Sequence, residues 1–138
     1  MEKYNYNKEL IEKLNIKNFI EQYNFTNEKY NEAIFCALSS LYEHYKQKNP
    51  STRVILLGDY YSFEYYSLLK DNLDKLKNLT QVMQEGYLKF LNKSIDFRNF
   101  SLEIISTWFA FYGRELQKSD VELINIIDSY GDNDVKKI

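Results

Sequence analysis

The stretch 53-RVILLGDYYSFEYYSLLK-70 carries four tyrosines and a phenylalanine between Tyr60 and Tyr66, just behind a Gly-Asp pair inside an apolar run. Set about 100° apart per residue, Val54, Leu57, Gly58, Tyr61, Tyr65, Leu68 and Leu69 fall on one helix face. That face is an ordinary core stripe. Leu56, Tyr60, Phe63 and Ser67 then form a second stripe on the far side, and Ile55 and Tyr66 bridge the two. Asp59, Ser62, Glu64 and Lys70 do not make a continuous wet side. A helix apolar on opposite faces is either central to its own domain or covered by a partner. Left in water, the second stripe would expose a patch of the size that marks binding surfaces, and tyrosine is a residue that interfaces favour. The expectation is burial by a partner. Gly58 allows close helix approach, and Asp59 needs a hydrogen-bond partner in such surroundings.

The rest of the chain is consistent with a small helical domain. One proline and four glycines in 138 residues favour long helices, and no strand-like alternation is sustained. A first helix is expected at about 5–23, with Leu10, Ile11, Leu14, Asn18 and Tyr23 as its stripe. Thr26 or Asn27 can cap a second at 27–48, carrying Tyr30, Ile34, Ala37, Leu38, Leu41 and Tyr45, which Asn49-Pro50 ends. The quoted stretch is the third. A fourth spans 72–93, with Leu73, Leu76, Leu79, Val82, Met83, Tyr87, Phe90 and Leu91 as its apolar set. The run 94-SIDFRNFS-101 reads as a connection to a fifth helix at 101–117, which is a further candidate for the interface. Ser119 with Glu122 forms a capping box for a last helix at 119–130. Residues 1–138 thus read as a single all-α bundle of about six helices, with 131–138 a polar tail in which disorder is expected.

Composition narrows the function classes. A formal charge of −2 with interspersed signs argues against nucleic-acid binding. No apolar run reaches membrane-spanning length and the first residues are polar, so a cytoplasmic protein without a membrane span is expected. Cys36 is the single cysteine, in AIFCALSSL, which excludes an internal disulfide and reads as a buried small hydrophobe. His44, the single histidine, has no organised nucleophile beside it and reads as a surface or interface residue. Trp108 reads as core.

The run VILLGDYYSFEYYSLL resembles the Gly-Asp-Tyr-x-Ser-x-x-Tyr-Tyr-x-Leu-Leu signature of the component I family of heptaprenyl diphosphate synthases, the small non-catalytic subunits of two-component bacterial prenyltransferases. It is more loosely similar to the Gly-Asp-(Phe/Tyr)-Leu helix of the catalytic polyprenyl synthases. LSSLYEHYK, with Glu43 and His44, is a weaker second likeness. The resemblance covers about 18 residues and implies a truncated, diverged isoprenoid-synthase-like fold. It also implies a catalytic component II as partner, magnesium held on that partner, and a role in making long-chain prenyl diphosphate for a menaquinone side chain. The implied docking and tunnel-shaping surface is Leu56, Gly58, Asp59, Tyr60, Phe63, Tyr66 and Ser67, through which the growing prenyl chain could be contacted within the complex.

Catalysis is not expected of this chain alone. Magnesium needs convergent carboxylates, and the two Asp-Asp-x-x-Asp motifs of the catalytic prenyltransferases have no counterpart, since no Asp-Asp pair occurs. Asp128, Asp132 and Asp134 are separated by the helix-breaking Gly131, and Arg53, Arg98 and Arg114 are scattered. No metal or cofactor is therefore assigned to the chain. The alternative is a helical interaction module unrelated to isoprenoids, and self-association of the isolated chain is left open.

Overall fold

The computed structural model describes residues 14–45 and 64–124, and every regular element among them is helical. In chain order these are α1 (Ile16–Tyr23), α2 (Glu28–Tyr45), a helical segment at 64–69, α3 (Leu73–Leu91), α4 (Phe97–Phe111) and the short α5 (Lys118–Glu122). The all-α reading holds. α4 lies between α2 and α3 and packs on both.

The enclosed helix is α2. Every residue from Asn31 to Leu41 is buried, about three full turns with no wet side. Small residues (Ala33, Cys36, Ala37, Ser39, Ser40) let neighbouring elements approach, and Ile34, Phe35, Leu38 and Leu41 fill the space between them. Cys36 and Trp108 are buried as expected. The aromatic centre of the core joins the α1–α2 connection to the C-terminal end of α4. Phe25 stacks on Tyr112, with ring centroids 4.1 Å apart. It also meets Trp108 and Phe109 edge-on, at 5.0 and 5.2 Å.

Helix ends explain most of the boundaries. Asn27 caps α2, its Oδ1 accepting from the Tyr30 N–H at 3.1 Å. Asp96 caps α4 in the same way, accepting from the Asn99 N–H at 2.8 Å. Residues 97–101 are therefore helix, not the connection expected of SIDFRNFS. α1, α3 and α4 all stop in one backbone pattern, a left-handed residue followed by an N–H that reaches back to the carbonyl five residues earlier. The left-handed positions are Asn24 (φ 58°), Lys93 (φ 64°) and Gly113 (φ 71°). The reaching bonds are Phe25 N to Ile20 O, Ser94 N to Lys89 O and Arg114 N to Phe109 O. Only one of the three uses glycine.

Several expected limits shift. Gly113 ends α4 at Phe111 rather than at 117. Residues 5–13 of the expected first helix, with Leu10 and Ile11, lie outside the described residues, and left-handed Asn15 (φ 61°) precedes α1, which begins at Ile16. Its buried residues are Ile16 and Phe19, with Leu14 just before it, while Asn18 is exposed. The box that starts α5 is Gln117 with Asp120, whose Oδ2 accepts from the Gln117 N–H at 2.9 Å, not Ser119 with Glu122. That helix is over by Leu123.

Two close approaches lock the layers. Gly86 is buried in α3 against α4, and a Cβ there would overlap the Phe100 ring. The Tyr87 ring meets the same Phe100 edge-on at 5.2 Å, and its hydroxyl is 2.8 Å from Ser40 Oγ, tying α3 to α2.

Candidate docking surface on the tyrosine-rich segment

Of the seven residues assigned to a docking surface, Leu56, Gly58, Asp59, Tyr60 and Phe63 lie outside the described residues, as does the 126–134 acidic stretch with Asp128, Asp132 and Asp134. Tyr66 and Ser67 fall within them. Over 64–69 the helix divides sharply. Tyr65 and Leu69 are buried and Leu68 is half-buried, as expected of the core stripe, whereas Tyr66 is 43 % exposed and Ser67 is exposed. The Tyr65 and Tyr66 rings stack at 5.3 Å with an interplanar angle of 15°, so the buried ring supports the exposed one. Burial pushes the Tyr65 phenol up to about 12, with Tyr66 adding to the shift. The segment ends in a tight turn, the Asn72 N–H donating to the Leu69 carbonyl at 2.8 Å, and α3 follows.

α3 buries only part of its apolar set. Leu79, Met83 and Gly86 are buried, and Leu76, Val82, Tyr87 and Phe90 are partly so. Leu73 and Leu91, two of the apolar set read from the sequence, are 70 % and 79 % exposed, and Leu88 is 66 % exposed. The geometry is simple. Leu73 and Leu91 are five turns apart on one line, and Leu88 lies about 60° from it. Leu79, Met83 and Gly86 occupy the opposite half of the helix. Periodicity identified an apolar helix, but eight apolar positions spread too widely to share one face.

The apolar side of the fifth helix faces the chain's own core. Ile104, Ile105, Trp108, Phe109 and Phe111 are all buried within the chain's own bundle. The hub beneath them is Asn31. Its Nδ2 donates to the Phe25 carbonyl at 3.0 Å, and its Oδ1 accepts from Trp108 Nε1 at 2.9 Å. The Tyr112 hydroxyl approaches the same Oδ1 at 2.8 Å and accepts from the Asn27 N–H at 3.1 Å. Burial pushes the Tyr112 phenol up to about 12. This network was missed in the sequence. Its signal was a lone Asn at the head of the small, apolar run AIFCALSSL.

A second polar cluster fastens the end of the described chain. The Tyr23 hydroxyl donates to Asp120 Oδ1, and that hydrogen bond, with burial, raises the Tyr23 phenol above its usual range. The Arg114 guanidinium sits 4.3 Å from the Tyr23 ring centroid. Between α1 and α2 lies a cavity of about 290 Å3, lined by Ile20, Phe25, Phe35, Asn31, Glu28 and Glu32. Among the described residues no three His, Cys, Asp or Glu side chains gather closely enough to hold a metal ion, and no helix is long and apolar enough to cross a membrane. Tyr66 and Ser67 are thus the two assigned docking residues whose surroundings are defined. No protein-family model, curated protein or solved structure is significantly similar to the chain.

Proposed function

We propose that this chain is a non-catalytic helical subunit that docks, through the outward side of its tyrosine-rich helix, on a catalytic polyprenyl diphosphate synthase subunit. The observation that carries the reading is the split within 64–69: Tyr65 and Leu69 turn into the core while Tyr66 and Ser67 face out. An aromatic ring held in place from beneath loses little further freedom on contact, which suits it to anchor an interface. The likeness of 53–70 to the component I signature supplies the class of partner. In this reading component II carries the magnesium and performs ionisation, condensation and elimination. The present chain stabilises it and bounds the channel that the growing isoprenoid enters, a steric role that needs no acid, base or metal of its own. The setting is long-chain prenyl diphosphate synthesis for a menaquinone side chain, in the cytoplasm.

The test mixes the purified chain with the catalytic synthase subunit of the same organism. Co-elution at micromolar concentration and a gain of prenyl transfer are expected. Tyr66→Ala should weaken association about tenfold, roughly 1.4 kcal/mol, with unchanged helicity of the isolated chain. No association at micromolar concentration would overturn the proposal and favour a helical interaction module with a different partner.

A further inference from the structure

We draw no further inference here: the strongest candidate, the line of exposed leucines Leu73, Leu88 and Leu91 along the outer flank of α3, is an unpartnered apolar face, and nothing in the structure shows what covers it.

Discussion

α2 and α3 are helices of similar length and opposite fate. α2 buries eleven consecutive residues, four of them polar: Asn31, Glu32, Ser39 and Ser40. α3 leaves three leucines in water. A count of apolar residues would not separate them. Side-chain size and hydrogen bonding do. The serines and alanines of α2 leave room for neighbours on all sides, and its buried Asn31 is matched to a carbonyl and an indole N–H. Leu73, Leu88 and Leu91 stand on the side of α3 turned away from Leu79, Met83 and Gly86, where α4 cannot reach them. Position around the helix, more than hydrophobicity, decides what is enclosed.

The sharpest way to break this contrast is a matched pair of leucine truncations. Leu41→Ala in α2 should cost about 3 kcal/mol, because it removes a fully packed side chain and leaves a cavity. Leu91→Ala in α3 should change stability by less than about 0.5 kcal/mol. Equal shifts in urea midpoint at unchanged slope would dissolve the distinction. Asn31→Ala follows, with a loss of about 2–3 kcal/mol, since the Trp108 indole and the Phe25 carbonyl both lose their partner in the interior. Trp108 fluorescence during the same titration reports whether the indole becomes wet.

Gly86→Ala tests the inner side of α3. Alanine is the better helix former by about 1 kcal/mol, so an exposed glycine at mid-helix would gain stability on substitution. Here the new methyl overlaps the Phe100 ring, and a net loss of about 1–2 kcal/mol is expected. A gain would mean that the α3–α4 contact is looser than described.

The smallest effect at ordinary pH is alkaline. Tyr65 and Tyr112 are raised to about 12 in the folded chain, against about 10 when unfolded. Above pH 10 the unfolded chain releases these protons while the folded chain keeps them. Their contribution is therefore complete below pH 10 and is lost as pH rises toward 12. The urea midpoint should be flat between pH 8 and 9.5 and fall from pH 10 to 11. Phenolate absorbance should show buried tyrosines ionising together with unfolding. Tyr65→Phe should soften that fall.

How much of this was legible beforehand depends on the range of the interaction. The all-α class, the cap at Asn27, the start of α3 and the burial of Cys36, Trp108, Tyr65 and Leu69 follow from local spacing and residue type. The end of α3 was legible as well, expected at 93 and found at Leu91, whereas the start of α4 behind Asp96 was harder, because Asp96 sits in a run that looks like a loop. Within 64–69 the core and outer sides follow from a 100° step, whereas what lies over the outer side is not encoded in it.

Left to itself, the sequence determined which segments are helices and which of their positions are apolar, because backbone hydrogen bonding, capping and a 3.6-residue period act within a few neighbours. Only the tertiary structure decided that α2 is sealed on every side, that Gly86 receives the Phe100 ring, and that Asn31 serves residues 77 and 81 positions away. Those outcomes depend on the shape of the partner surface. Distant elements must meet before that surface exists.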